Sequence, residues 1–408
     1  MRKRFTIRVN ASAFFLVLTF AIKSFTDAVY VAHDVNHFLV SMKYVTMLCG
    51  MVYALIKING RKKSELLWRK DCISLLSVVV VFVFLSLIAM VFSPQSNSAL
   101  LSETVKLVLG PVYAFFIINT LDQEEFHNCM KLILLFGFIG YVLEIGTGVF
   151  SIESLRSINI MDSYSPFESS YSAGTAITAA TYFIFFDKEK RYTILSVLFV
   201  LLTFKRSLVL CVAVLFLVSR FKRNWDRPLH RAWTVVMVLF FTACTYVYMY
   251  LLDPTHADKF LRLFSTSARQ FTMGRNLRYE YLLSHGFRSS GFGSSTVALG
   301  TNLEMDLIKL AIELSIVGLI YFLWVFTSVV HNHLYCYLLM FFDFFNMLTS
   351  HSLSGNFSWT LKFLVIAYIL YSSDNEQYRT ARAPFRFKKR ERNDYGERDG
   401  YPGYGEKR

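Results

Sequence analysis

The feature that most constrains this chain is a series of long apolar runs separated by short polar segments. Runs of roughly 17–22 apolar residues match the ~30 Å hydrocarbon layer of a bilayer, which an α-helix crosses in about 20 residues. Only 18% of the 408 residues are charged, whereas a soluble chain carries about 25%. These observations exclude a soluble enzyme, a disordered protein and a secreted disulfide scaffold. They predict an all-α, polytopic integral membrane protein.

The apolar runs predict about twelve transmembrane helices. Two of them, 193–204 and 207–219, are too short to cross a bilayer alone. We interpret these two as a broken helix pair that meets at Lys205–Arg206. The predicted spans are 10–30, 38–57, 72–92, 103–120, 130–150, 170–186, 193–204, 207–219, 232–252, 304–327, 334–349 and 360–372.

The distribution of Lys and Arg predicts the orientation. Basic residues are concentrated before the first span, in 57–70 and 220–231, and in the tail, and such segments remain in the cytoplasm. Both termini are therefore predicted to be cytoplasmic. Residues 1–372 form the predicted transmembrane domain, and 373–408 form a basic tail without apolar periodicity, which predicts disorder. We attribute much of the net charge of +14 to this tail beside anionic membrane lipid, and expect no nucleic-acid partner.

Two predicted outer loops, 151–169 and 253–303, are longer than the topology requires, which is typical of functional loops. In the second loop the spacing of Leu261, Phe264, Ala268 and Phe271 predicts an apolar stripe on a helix. That helix either lies on the outer membrane surface or packs on the bundle.

The next segment of this loop carries a row of arginines. A helix from about residue 275 places Arg275, Arg278, Leu282 and His285 along one face, and Gly286 ends it. Arg288 and an exposed Gly-Phe-Gly turn are predicted to follow. Guanidinium groups offer fixed, bidentate geometry to phosphate oxygens. The cluster predicts a diphosphate site, and the alternative is that the arginines bind lipid headgroups.

Other candidate residues lie outside this arginine row. Lys205 and Arg206 lie at a helix break, where polar groups often mark substrate sites. Glu168, Asp306 and His285 are candidate bases for a hydroxyl group, although each carboxylate equally suits a helix cap or an ion pair. Lys309–Glu313 and Lys23–Asp27 are i, i+4 pairs that we expect to neutralise each other. No nucleotide or metal motif is present, so neither a cofactor nor a metal is expected.

The chain resembles the Wzy-type polymerases of O-antigen, capsule and exopolysaccharide, which are related to the O-antigen ligases. LLTFKRSLVLCVAVLFLV resembles the family's segment broken at an arginine, and MGRNLRYEYLL with SSGFGSS resembles its arginine and glycine stretch. Arg275 and Gly286 match the family's arginine–ten residues–glycine motif. EMDLIKLAIELSIVGLIYFLW resembles a further family helix, and the twelve-span plan with two long outer loops also agrees. The first long loop, with Arg156 alone, lacks a matching arginine–glycine pair.

This resemblance implies a metal-independent glycosyltransferase at the outer face of the bacterial inner membrane. It would transfer a glycan from undecaprenyl diphosphate onto another carrier-linked repeat unit. Diphosphate binding and leaving-group stabilisation would fall to Arg206, Arg275, Arg278 and Arg288, with Lys205 and Gly286 beside them. Glu168, Asp306 or His285 would be the base, and Tyr279 would stack on a sugar. The family also implies a chain-length regulator as partner. The alternatives are a glycan flippase or other secondary transporter, and an O-antigen ligase.

Overall fold

The computed structural model of the chain is helical throughout the part that it describes. The described residues are 10–32, 37–93, 96–146, 149, 169, 171–187, 189–203, 205–220, 229–353 and 355–373. The helices are α1 (Ala11–Ala32), α2 (His37–Ile58), α3 (Arg69–Phe92), α4 (Leu100–Ile118), α5 (Gln123–Ile145), α6 (Ala173–Phe186), α7 (Lys190–Leu202), α8 (Arg206–Arg220), α9 (Ala232–Leu252), α10 (Ala257–Phe264), α11 (Ala268–Phe271), α12 (Asn276–Ser284), α13 (Ser294–Leu299), α14 (Asp306–Ser328), α15 (Leu334–Thr349) and α16 (Asn356–Ser372). Short 3-10 turns lie at Lys63–Glu65 and Pro254–His256.

The predicted class, a helical membrane protein, is confirmed. Within the described ranges, seven helices are long and apolar enough to cross a bilayer, namely α1 to α5, α9 and α14. Each of the twelve predicted spans coincides with a helix to within several residues. The break in the short helix pair is also present, because α7 ends at Leu202 and α8 begins at Arg206.

Two helices form the centre of the bundle. Every side chain of α16 from Asn356 to Tyr371 is buried except that of Ser358, as expected for a helix that is apolar on all sides. Helix α6 is rich in Ala, Gly and Thr, and such small side chains let helices approach closely. At Gly174 a Cβ atom would lie only 2.8 Å from Ser358 Oγ, so glycine permits this contact between α6 and α16.

Five lysines that lie well inside the predicted spans are each ion-paired. An unpaired charge inside a helical bundle is costly, so neutralisation by a carboxylate stabilises each position. The predicted Lys23–Asp27 pair is confirmed, with 2.7 Å between the charged atoms. The pairs are Lys23–Asp27, Lys43–Asp27, Lys106–Glu103, Lys309–Glu103 and Lys362–Asp343.

The predicted Lys309–Glu313 pair is confirmed only as an attraction between two charges, because these two side chains form no direct ion pair. Lys309 Nζ lies 3.0 Å from Glu103 Oε2 on α4. The carboxylate of Glu313 instead accepts hydrogen bonds from the backbone N–H groups of Gly293 and Ser295, each at 2.8 Å, and from the Ser295 hydroxyl at 2.6 Å. Spacing on one helix identified the two charged residues but not their partners, because both partners lie on distant segments.

These bonds also correct the prediction of an exposed Gly-Phe-Gly turn. The turn at 291–293 is buried, with Phe292 only 1% exposed. Gly291 and Gly293 have φ angles of +99° and +91°, and a Cβ atom at Gly291 would lie 2.3 Å from the Cβ of Ser86. The glycines therefore let the turn pack between α3 and α4, and their role is structural.

The predicted apolar stripe over 258–271 is only partly confirmed. The helix breaks at Ser265, which has a φ angle of +54°, and α11 begins at Ala268. Phe264 and Phe271 pack against the fully buried Phe260, whereas Leu261 is 53% exposed. Residues 253–305 together cover one end of the bundle, which we call the loop end.

Candidate active site

Two arginines at the loop end converge on one carboxylate. Arg275 directly precedes α12, and Arg278 lies in its first turn. Arg275 Nε lies 3.0 Å from one oxygen of Glu304, and Arg278 Nη1 lies 3.0 Å from the other. Arg275 also donates to the Thr349 carbonyl at 3.1 Å, and Arg278 to the Asn302 carbonyl at 2.8 Å. The predicted alignment of these arginines is confirmed, and their common partner is Glu304.

This arginine pair is accessible and keeps unused donors. The side chains of Arg275, Arg278 and Glu304 are 21%, 34% and 37% exposed. Among the described residues no hydrogen bond uses the Nη2 group of either arginine. Partial burial alone would raise the pKa of Glu304, but the hydrogen bonds and charges of the arginines outweigh it and hold that pKa below its ordinary value. Glu304 is therefore an anion at neutral pH.

Asp306 and His351 form a second pair, immediately beside the first. Asp306 is fully buried, and its Oδ1 lies 2.8 Å from His351 Nδ1. Its Oδ2 accepts hydrogen bonds from the backbone N–H groups of Ser352 and Leu353. Asp306 thus fixes both the imidazole of His351 and the connection between α15 and α16.

The environment of His351 determines the pKa of its imidazole and which ring nitrogen carries the proton. Burial lowers the pKa of its imidazole, but the charge and hydrogen bond of Asp306 outweigh this, and the pKa is raised above its ordinary value. Since an ionised carboxylate only accepts hydrogen bonds, we infer that Nδ1 carries the proton. In the neutral ring Nε2 is then an acceptor. The His351 side chain is 25% exposed, and its Nε2 has no hydrogen-bond partner among the described residues.

The two pairs meet where α14 begins and α15 ends. Glu304 and Asp306 are separated by one residue, and Arg275 bonds to the carbonyl of Thr349, two positions before His351. The arrangement therefore combines donors for an anion with an oriented imidazole that can accept a proton.

The remaining residues predicted for this loop lie apart from these contacts. His285 is exposed, and its hydrogen bonds and ring contact are with Tyr281 and Ser284 of its own helix. Gly286 follows the end of α12 with a φ angle of +59°, so the predicted helix terminator is confirmed. Tyr279 is 4% exposed and has no free face for a sugar. Arg288 is exposed and forms no ion pair with any described residue.

The candidates at the helix break and in the first long loop are described only in part. Lys205 is half-buried. The hydroxyl of Tyr141 on α5 donates to the Leu202 carbonyl, which fixes the end of α7 beside α5. The side chain of Arg206 lies outside the described residues, as do Glu168 and the tail from residue 374.

His351 is the site residue that sequence reasoning missed. It follows the predicted span 334–349 directly, within a short polar segment, His-Ser-Leu-Ser-Gly. The available signal was a histidine at the same predicted membrane face as the arginines. Its partner, Asp306, is 45 residues away in the chain, so no local motif joins the two residues.

Across the described residues no cluster of three metal-ligating side chains occurs. Comparison with models of protein families, with curated proteins and with solved structures gives no match to this chain.

Proposed function

We propose that this protein is a polysaccharide polymerase of the bacterial inner membrane. It transfers a glycan from one undecaprenyl diphosphate carrier onto a second carrier-linked repeat unit. The helices that coincide with the predicted spans lie in the membrane, with α7 and α8 as a broken pair that meets at the outer face. Both termini are cytoplasmic, and the loop end lies at the outer face. The observation that carries the proposal is the half-exposed arginine pair beside an oriented histidine, both at one helix junction.

The arginine pair binds the diphosphate of the donor. Arg275 and Arg278 already hold one carboxylate with one guanidinium at each oxygen, a geometry that suits phosphate oxygens equally well. Their Nη2 groups supply further donors. A diphosphate carries more negative charge than Glu304, so it displaces this carboxylate from the guanidinium groups.

His351 is the general base. The hydroxyl oxygen of the acceptor sugar attacks the anomeric carbon of the donor, and the bond from that carbon to the diphosphate oxygen breaks. The hydroxyl proton passes to Nε2 of His351, and Asp306 stabilises the resulting imidazolium. The diphosphate leaves as an anion that the arginines stabilise. Arg206, Glu168 and His285 are not needed for these steps.

A secondary transporter is the second candidate, and one observation favours it. Asp343 and Lys362 form a buried ion pair on the inner helices α15 and α16, and Asp343 Oδ2 has no hydrogen-bond partner among the described residues. Ionisable residues at such depth often mark transport paths. Against this candidate, five lysines within the helices have a carboxylate partner, so none of these five is an unpaired charge on a transport path. They are Lys23, Lys43, Lys106, Lys309 and Lys362.

The glycan profile of a deletion strain tests the proposal. We expect loss of the polymer ladder, with a single repeat unit still attached, and no recovery of length when the strain carries Arg275→Ala or His351→Gln. Restoration of the full ladder by both variants would overturn the proposal. Loss of the single unit as well, with carrier-linked repeats accumulating inside the cell, would point to a flippase.

A further inference from the structure

A lateral groove lies between α1, α2 and α5. It has a volume of about 490 Å³, within the range of small-ligand sites. The groove is open to the surface of the bundle. Two of its lining side chains are exposed, Phe25 by 56% and Leu143 by 51%. We call it the α1–α5 groove, and its lining residues are Ala21, Ile22, Phe25, Thr26, Met42, Phe136, Ile139, Gly140 and Leu143.

The lining of the groove is suited to hydrocarbon. Its one hydroxyl belongs to Thr26, and that hydroxyl donates to the Lys23 carbonyl of its own helix at 3.0 Å. The groove therefore presents no unsatisfied polar group, and water gains nothing by filling it. Its shape depends on Gly140, where a Cβ atom would lie 2.8 Å from the Cβ of Ser24, so α5 packs tightly on α1 there.

A polar cluster lies at the loop end of this groove. Asp27 accepts from Lys23 at 2.7 Å and from Lys43 at 3.1 Å, so two ammonium groups share one carboxylate. Both lysine side chains remain partly exposed, at 12% and 13%. Glu144 belongs to the same cluster, but its oxygens accept from the hydroxyls of Ser169 and Ser172. Lys23 also donates to the Tyr171 carbonyl at 3.5 Å. Each ammonium group has three donors, so within the described residues each lysine retains a donor for a further anion.

The cluster and the groove are continuous in sequence and in space. Ile22, Thr26, Met42 and Leu143 line the groove, and each directly precedes or adjoins a charged residue of the cluster along its helix. A ligand that fits both features is an amphiphile with a long apolar chain and an anionic head at the loop end.

The same cluster contacts the start of the helix that follows the base proposed above. Lys43 Nζ lies 5.6 Å from the centre of the Phe357 ring, and Tyr44 packs on the same ring at 5.3 Å. Phe357 is at the start of α16, and the connection before it carries His351. The Lys43 cluster and the arginine pair therefore flank the 350–357 segment.

We propose that the α1–α5 groove binds the polyprenyl chain of the second carrier-linked substrate, with its diphosphate at Lys23 and Lys43. This inference rests on the proposed function, because a polymerase acts on two carrier-linked molecules and needs two headgroup sites. The arginine pair then binds the donor, whose diphosphate leaves. The lysine cluster binds the acceptor, whose diphosphate stays attached, so it needs positioning and no leaving-group stabilisation.

Native mass spectrometry of the purified full chain with added undecaprenyl diphosphate tests this assignment. We expect two bound lipids on the wild-type protein and one on Lys43→Gln or Ala21→Phe. Loss of the charged contact should weaken the second binding event by about tenfold to a hundredfold. Two matched controls should still bind two lipids. Lys106→Gln removes a lysine of another ion pair, and Cys49→Phe fills a second apolar groove, of about 440 Å³, that lies further from the loop end.

A diazirine-bearing polyprenyl diphosphate provides a measurement that does not depend on the folding of a variant. On the wild-type protein it should label peptides that contain 21–26 and 136–143. Labelling confined to 45–56 would overturn the proposal, as would equal displacement of the bound probe by phosphatidylglycerol, which would identify the occupant as bilayer lipid.

The two proposals fail in different ways. If Lys43→Gln and Ala21→Phe both keep two lipids while Arg275→Ala keeps one, the groove assignment is wrong and the donor site stands. If the groove variants lose one lipid while Arg275→Ala keeps two, the groove binds a carrier lipid, the donor site at the arginines is wrong, and the acceptor role loses its basis.

Discussion

Two clusters of charged side chains at the loop end are similar in composition. They differ in how many of their hydrogen-bond donors and acceptors have partners. Around Glu103, Lys309 and Glu313 every charge is buried, with Lys309 fully so, and Glu313 accepts three hydrogen bonds. Around Arg275 and His351 the side chains are partly exposed, and donors or acceptors remain unused. Saturated, buried charge stabilises one arrangement of helices, whereas exposed charge with unused hydrogen-bonding capacity can bind a ligand. Charge alone, read from the sequence, does not separate the two cases.

The largest expected effect is on folding, from a change in the buried group. Lys309→Ala leaves the carboxylate of Glu103 buried with only Lys106 near it. We expect this change to lower the free energy of unfolding by about 3–5 kcal/mol. Thermal unfolding of the purified protein in detergent measures it. The matched control Lys106→Ala removes a side chain that is 34% exposed and should cost no more than about 1 kcal/mol. Equal melting temperatures for Lys309→Ala and the wild type would contradict this account of the buried group.

The second effect is on activity without loss of fold. Arg275→Ala should reduce the rate of glycan transfer by about a hundredfold, the usual cost of losing one preorganised donor to a developing charge. The melting temperature should change little, because Arg278 still holds Glu304. Arg262→Ala is the control, since Arg262 is exposed on α10. If the two variants have the same rate, Arg275 does not contact the substrate.

The third effect is a pH dependence with opposite signs for stability and rate. The pKa of His351 is raised by Asp306, so the stabilisation from their ion pair is fully present below the unfolded value of about 6.5. It is lost as the pH rises through the folded pKa of His351. The base must be neutral, so the rate should rise over that same interval.

Melting temperatures and rates measured between pH 5.5 and 9 test this relation. His351→Gln should reduce the pH dependence of the melting temperature, with the His331–Asp71 pair accounting for the part that remains, and should abolish the transfer. A rate that is independent of pH across the interval, with the fold intact, would eliminate His351 as the base.

The smallest effect concerns Glu304, the carboxylate that the two arginines hold. Glu304→Gln should lower the KM for the diphosphate-linked donor several-fold, because the anion that competes for the guanidinium groups is gone. The loss of stability at neutral pH should stay under about 1 kcal/mol, since the site is half-exposed. The pKa of Glu304 is lowered, so its contribution in the wild type is present above pH ~4.3 and is lost as the pH falls through the folded pKa. A KM that rises in Glu304→Gln would mean that Glu304 itself contacts the substrate.

The sequence predicts the helices well because each one is a long apolar run with a simple composition. Even the break before Arg206 follows from the length of two half-spans. The alignment of Arg275 with Arg278 also follows, since helical spacing places i and i+3 on one face.

The partners of these charges could not be predicted in the same way. Glu313 binds the backbone of a turn about twenty residues away, and Asp306 binds His351 at a separation of 45 positions. Such contacts depend on how distant segments pack together. The spacing of residues along one helix gives no information about that packing. The buried Gly-Phe-Gly turn is the clearest case. The same three residues would suit the approach of a ligand or the close packing of helices, and the sequence does not distinguish these roles.

The central claim is that the Arg275–His351 site joins carrier-linked glycans. Its most direct test uses proteoliposomes that contain the purified protein and an undecaprenyl diphosphate-linked single repeat unit, with no nucleotide added. We predict a ladder of longer carrier-linked glycans for the wild type and no ladder for His351→Gln, with both proteins folded. Movement of the repeat unit across the bilayer without elongation, unchanged in His351→Gln, would contradict the account.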